Sequence, residues 1–458
     1  MPHSFTPADA IRTRFSEAMS TMYRAEVPLY GDLLSIVADV NAKVLAERPA
    51  LAAEMTAADE LDRLDIERHG AIRLGTAAEL RMMRQAFAVM GMVPVGYYDL
   101  SVAGVPVHST AFRPVDDAAL AANPFRVFTS LLRLELIEDT GLRAEAEAIL
   151  STRRIFTDEA IQLIERHAAQ GGLDDAESER FVLALLETFR WHGDARVDAA
   201  TYDRLHGAHR LIADVVSFRG PHINHLTPRT LDIDAAQDAM QARGIDAKAV
   251  IEGPPPRAVP ILLRQTSFKA IEEDVTFPGD HPGQHTARFG EVEQRGAALT
   301  PKGRALYDRL LATARAGAGS QGASYADRLN TCFAAFPDTI EALREQGLAW
   351  FRYELTEAGQ RLIATGVRPA GGIDDWLAAG HVRALPIVYE DFLPVSAAGI
   401  FQSNLGGTEQ RSYAASPAQA AFEAAMGDVV QDEMALYAAA EARSMMEVRQ
   451  ALRGAAAA

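Results

Sequence analysis

Two stretches of this chain share one layout: a histidine, an arginine four residues on, and then an amphipathic helix. The first runs from His69 through Arg73 into a helix beginning at Ala77, and the second from His225 through Arg229 into one around Asp234. A strand-then-helix unit used twice restricts the fold sharply, because both copies must bury an apolar strand face and a helix stripe in a shared core. Each copy also delivers one imidazole. Two related modules sharing a metal centre are the arrangement this duplication suggests, and it reduces twelve histidines to two leading candidates.

The remaining composition narrows the partners. With 62 acidic against 45 basic residues the formal net charge is −17, which repels phosphate backbones and anionic lipid. Nucleic acid and membrane are therefore not expected as partners. The segments after Leu299 and Leu355 carry a Leu-Thr-x-x-Gly-like pattern also common in winged-helix regulators, yet no basic recognition helix accompanies it. The single cysteine, Cys332, excludes an intrachain disulfide and a Cys-rich zinc site, and its apolar neighbours suggest a small core residue. No secretory signal is visible at the N-terminus, so a soluble cytoplasmic protein is expected. The sequence leaves the oligomeric state open.

Periodicity divides the chain into six regions. Residues 1–58 read as N-terminal helices, 59–115 as a first metal-site module and 116–214 as a helical insertion rich in Ala, Leu, Glu and Arg. Residues 215–299 read as a second module, 300–380 as a helical region, and 381–458 as a late strand, a loop and a C-terminal helix. Within the first module Thr76 is expected to cap the helix at Ala77, and Ala103-Gly104 to join two strands. Thr300-Pro301 marks another helix start. The fold class is α+β.

Alternation on a strand decides which groups share a face. His69, Ala71 and Arg73 point one way, placing an imidazole beside a guanidinium. His225 shares a face with Thr227, while His222 and Asn224 point opposite, so only one histidine of Pro221-His-Ile-Asn-His reaches a given metal. A carboxylate is needed to complete the set. Glu291 and Glu293 lie two residues apart on one face, and spacing alone does not choose between them; Asp99 is a weaker candidate. Two histidines and one carboxylate leave open positions that suit Fe(II), and the same set also holds zinc with an activated water. Beside such a metal, Arg73 is a natural clamp for a substrate carboxylate.

Four segments taken together resemble a known family: Arg68-His-Gly-Ala-Ile-Arg-Leu-Gly-Thr, Gly220-Pro-His-Ile-Asn-His-Leu-Thr-Pro-Arg, Leu263-Arg-Gln-Thr-Ser-Phe-Lys-Ala and Arg288-Phe-Gly-Glu-Val-Glu-Gln-Arg-Gly. They are similar to the 2-oxoadipate dioxygenase/decarboxylase (2-hydroxyglutarate synthase) family of lysine catabolism, and the resemblance extends over essentially the whole chain. It implies a vicinal-oxygen-chelate-like core of paired strand-helix-strand modules around a metal, with large helical additions. It implies an Fe(2+) site held by His69, His225 and Glu293, and so selects Glu293 by analogy where spacing did not. Arg73 falls on the family's substrate-carboxylate arginine, and Val395 and Ser396 on a loop bordering the substrate. His69 and His225 also border the substrate in this arrangement.

The implied activity is an Fe(II)-dependent oxidative decarboxylation with intramolecular hydroxylation. It takes 2-oxoadipate and O2 to 2-hydroxyglutarate and CO2, with the 2-oxo diacid and O2 as the only small-molecule partners. Two alternatives use the same residues: a non-oxidative metal-dependent lyase or isomerase, and a 2-oxo-acid-binding protein without turnover.

Overall fold

The computed structural model describes residues 5–57, 60–316, 324–393 and 417–453. The doubled layout is realised as two modules. The first comprises β1 (His69–Leu74), the helix Ala77–Val89, β2 (Val93–Asp99), β3 (Val107–Arg113) and β4 (Arg126–Leu132). The second comprises β5 (His225–Thr227), the helix Ile233–Ala242, β6 (Leu263–Ser267), β7 (Glu272–Phe277), β8 (His281–Thr286) and β9 (Phe289–Arg295).

Seven of these strands form one sheet in the order β2-β3-β4-β1-β5-β9-β6, while β7 and β8 form a separate antiparallel pair. In each module the first strand pairs in parallel with the last, β1 with β4 and β5 with β9. The modules join through their first strands, β1 and β5, which are antiparallel. A parallel pair requires a crossover, and the helix of each module lies within that connection. This duplicated topology is the vicinal-oxygen-chelate-like α+β core expected from the sequence.

Local chemistry explains the turn from β1 into its helix. Thr76 has an extended backbone and accepts a hydrogen bond from Glu79 N, while the Glu79 side chain reaches back to the Thr76 N–H, closing a capping box. Such a cap stabilises a helix start by about 1 kcal/mol. Leu80, Met83, Ala86 and Phe87 then recur at helical spacing and are fully buried.

The strand β4 falls inside the range read from the sequence as helical insertion. All seven of its residues are buried, so it shows none of the alternation that marks a half-exposed strand. Apart from the short helix Asp117–Ala122, the helices of the insertion run from Thr140 to Ser217. The regions read as 300–380 and 381–458 are likewise not separate, because β10 (Phe351–Leu355) pairs antiparallel with β11 (Val382–Pro386).

By internal packing the chain forms two compact units. The first holds residues 1–252, 265–294 and 392–431, and the second 253–264, 295–391 and 432–458. In the first, the helix Ala8–Glu26 buries Ile11, Phe15, Met19 and Met22. The Phe15 ring meets Phe125 and Phe189 edge-on, with centroids 6.2 and 5.3 Å away. Each such side chain contributes about 2 kcal/mol on leaving water.

In the second unit the helix Pro301–Ala316 starts as expected, with Thr300 accepting from Gly303 N. Its Tyr307 packs against Phe333 at 5.4 Å. Cys332 is only half-buried, contrary to the expected core position. The buried stripe there runs through Leu329, Phe333 and Phe336, and Cys332 sits just off it. Among the described residues no helix is long and apolar enough to cross a membrane.

Candidate metal centre

The candidate ligands sit on three adjacent strands of the sheet, β1, β5 and β9. His69 on β1 lies opposite Thr227 on β5, Ala71 lies opposite His225, and His225 lies beside Phe289 on β9. Two features hold these strands close. Gly70 has no side chain where a Cβ would come within 2.6 Å of Ile223, so the approach to β5 depends on glycine. The Tyr23 hydroxyl, from the N-terminal helix, lies 3.0 Å from the Asn224 carbonyl and 2.8 Å from that of Phe289. It thereby ties the start of β5 to the start of β9.

His69, His225, Glu291 and Glu293 are all fully buried. The rings of His69 and His225 are perpendicular, with centroids 5.4 Å apart. Donor atoms of His69, His225 and Glu291 come within 4.8 Å of one another. Glu291 Oε1 lies 3.1 Å from His69 Nε2, and Glu293 Oε2 lies 3.0 Å from His69 Nδ1. One imidazole is thus flanked by both carboxylates that alternation placed on the same face. Glu291 also accepts from Gln265 Nε2 at 2.5 Å and from Thr227 Oγ1 at 3.4 Å. Glu293 lies 3.5 Å from Arg68 Nε. Gln265 and Thr227 had no signal in the sequence beyond their place on neighbouring strands.

The electrostatics suit a cation. Burial acts to lower the His69 pKa, but Glu293 and Glu291 outweigh it and hold the pKa above the ordinary imidazole value. His225 is pushed well below it by burial, with His69 and Arg73 adding positive charge nearby. It is therefore neutral and keeps a lone pair for coordination. Both ring nitrogens of His225 and Glu291 Oε2 are buried without a hydrogen-bond partner, while His69 Nδ1 lies 3.0 Å from Glu293 Oε2. Each such atom costs about 1–3 kcal/mol if nothing satisfies it. A divalent cation accepting imidazole nitrogen and carboxylate oxygen answers that deficit, so the residues fit a metal.

Arg73 lies on the same strand face as His69 and is largely buried. Its Nη1 donates to Asp214 Oδ2 at 2.7 Å. Asp214 in turn belongs to a second buried group whose donor atoms lie within 4.8 Å of one another: Asp214, His222 and His285. The opposed faces expected for His222 and His225 are realised, with one histidine in each group. Arg229, the second module's counterpart of Arg73, instead pairs with Glu60.

Other candidates fall away from this centre. Asp99 accepts from Ser101 N and pairs with Arg133 at 3.3 Å, stabilising the turn after β2. The expected substrate-bordering residues Val395 and Ser396 lie outside the described residues. Phe392, just before them, packs edge-on against the His69 ring at 4.8 Å and against Phe128 at 5.2 Å.

Comparison with known proteins gives one consistent result. The family described as 2-oxoadipate dioxygenase/decarboxylase matches residues 15–404. A curated protein of that description from Pseudomonas putida is 57% identical over 457 residues, covering 98% of this chain and 98% of its own. Another, from Escherichia coli K12, is 59% identical over 444 residues, covering 97% and 98% respectively. The crystal structure of hydroxyglutarate synthase from Pseudomonas putida in complex with 2-oxoadipate superposes with a TM-score of 0.91 at 56% identity. It covers 98% of this chain and 99% of that one.

Proposed function

The chain belongs to the 2-oxoadipate dioxygenase/decarboxylase family, and on that premise we propose that it converts 2-oxoadipate and O2 into 2-hydroxyglutarate and CO2 at an Fe(II) site. The setting is lysine breakdown, as the family resemblance implies. One observation carries the metal site: His69, His225, Glu291 and Glu293 are buried together, and both nitrogens of His225 lack partners. The atoms of the reaction balance, since the six carbons and seven oxygens of substrate plus O2 equal those of the two products. The substrate loses CO2 and supplies the electrons, so no separate reductant enters.

In this reading His69, His225 and Glu293 hold the ion, with Glu293 chosen over Glu291 on the family resemblance. Bound Fe(II) would supply a Lewis-acid site for the 2-oxo acid and a relay for the electrons that the substrate gives to dioxygen. The protein's own groups do the rest. His225 stays neutral because burial disfavours its protonated form. Glu291, held by Gln265 and Thr227, keeps its oxygen at His69 Nε2 and so fixes that ring. Arg73 binds a substrate carboxylate and sets which carbon faces the reacting centre. Phe392, backed by Phe128, covers His69 with apolar surface and limits water there.

The test is oxygen uptake by anaerobically Fe(II)-loaded protein on adding 2-oxoadipate, with products identified by mass spectrometry. Uptake matched by equimolar CO2 and 2-hydroxyglutarate is expected. Bound iron and bound 2-oxoadipate with no uptake would refute the proposal.

A further inference from the structure

The second buried group, Asp214, His222 and His285, resembles a metal site in composition, but its charge is already balanced. Asp214 lies on the helix Arg210–Ser217 and is almost fully buried. Its Oδ2 takes the Arg73 guanidinium at 2.7 Å. Its Oδ1 lies 3.0 Å from His285 Nε2 and 3.2 Å from His222 Nε2. A cation at 2.7 Å already neutralises this carboxylate, and a dication on it would face that guanidinium at close range. We infer that the Asp214 group is a positioning device for Arg73: it fixes the guanidinium in the orientation that receives the substrate carboxylate.

A hydrogen-bond chain runs through His285, while His222 Nε2 meets Asp214 as a charge contact. Asp214 is a carboxylate, so His285 must present Nε2–H to it. In that tautomer of the neutral ring, Nδ1 accepts from the Tyr202 hydroxyl, 2.9 Å away. The imidazole plane is fixed by near-parallel stacking on Trp191, with centroids 5.9 Å apart and planes 8° off parallel. Trp191 also meets the His222 ring edge-on at 4.7 Å. The acid is therefore held from the buried side by two rings and a hydroxyl, and presents its second oxygen to Arg73.

An arginine side chain loses roughly 2 kcal/mol of rotamer freedom when it is ordered. Ordering it beforehand removes that cost from substrate binding. Anchoring through Nη1 also leaves the rest of the guanidinium fork to direct at a ligand. The second module's counterpart, Arg229, pairs instead with Glu60.

The inference rests on the reading of Arg73 as the substrate-carboxylate group, and a double-mutant cycle separates the two. Anaerobic calorimetry of the Fe(II)-loaded chain would measure 2-oxoadipate affinity in wild type, Asp214→Asn, Arg73→Ala and the double variant. Metal content would be read alongside. Asp214→Asn should weaken binding by about 10-fold or more with iron retained, and should add less than about twofold in the Arg73→Ala background.

Full additivity, or wild-type affinity in Asp214→Asn beside a weakened Arg73→Ala, would overturn this inference alone. Wild-type affinity in Arg73→Ala would remove the reading of Arg73 and this inference with it. Loss of a second bound ion in Asp214→Asn would also overturn it, by making the group a metal site. Should Asp214→Asn not fold, Tyr202→Phe takes its place: about threefold weaker binding is expected, abolished when Arg73 is absent. An unchanged affinity there would overturn the inference.

Discussion

The first unit contains two buried groups of two histidines and at least one acid, and they differ in what they lack. In the group of His69, His225 and the Glu291/Glu293 pair, both ring nitrogens of His225 and one oxygen of Glu291 are buried without hydrogen-bond partners. In the group of Asp214, His222 and His285, the acid faces Arg73 and two imidazoles, and Tyr202 satisfies His285 from behind. Composition alone does not separate them. The first is short of a cation, while the second already has one in Arg73. A histidine–carboxylate cluster is thus better judged by whether a cation already faces its carboxylate than by its residue types.

That difference is open to attack, most severely at the ligands. His225→Ala should leave the chain folded but remove most of the bound metal and lower turnover by about a thousandfold or more, as two remaining ligands hold the ion poorly. Metal analysis and product formation check this, and full metal content in the variant would undo the assignment. Next, Glu293→Gln should lose metal while Glu291→Gln retains it with reduced turnover. The reverse pattern would move the ligand role to Glu291, which the atomic positions place nearest His69 Nε2.

A smaller effect is expected at Arg73. Arg73→Ala should lower kcat/KM for 2-oxoadipate by about 100-fold with iron stoichiometry intact, the scale of a lost charge-assisted pair. Loss of iron in that variant would contradict its role. At the second group, His222→Gln should leave metal content unchanged, and a fall would erase the contrast between the two clusters.

The smallest effect concerns pH. Burial acts to raise the Asp214 pKa, but His222 and Arg73 outweigh it and hold the pKa well below the ordinary carboxylate value of 3.8. A depressed folded value stabilises the fold above the unfolded pKa and is lost only as pH falls through the folded one. The Arg73–Asp214 pair should therefore contribute equally from about pH 5 to 8, and its loss should show only in acid unfolding. Comparing unfolding free energies of wild type and Asp214→Asn across that range measures it.

Much of this was legible from the sequence, for identifiable reasons. His69 and His225 stood out because a repeated strand-helix layout carried one imidazole in each copy. The opposite facing of His222 and His225 followed from alternation. Glu291 and Glu293 share a face, so no spacing argument parted them, and in the structure both reach one imidazole. The strand β4 was concealed because it is buried on both faces and shows no period of two. The anchor of Arg73 was concealed for a different reason. Asp214 comes from a helix 141 residues further along, and its one local signal was a lone acid in the apolar run Leu-Ile-Ala-Asp-Val-Val.

The most direct test is a titration. Metal-free chain would be given increasing Fe(II) under anaerobic conditions and then exposed to O2 with excess 2-oxoadipate, and 2-hydroxyglutarate would be quantified. Product should rise in proportion to iron and reach its plateau at one equivalent per chain, with CO2 matching it. A plateau at two equivalents, or 2-hydroxyglutarate formed without added metal, would contradict the assignment of one cluster to the ion and the other to Arg73.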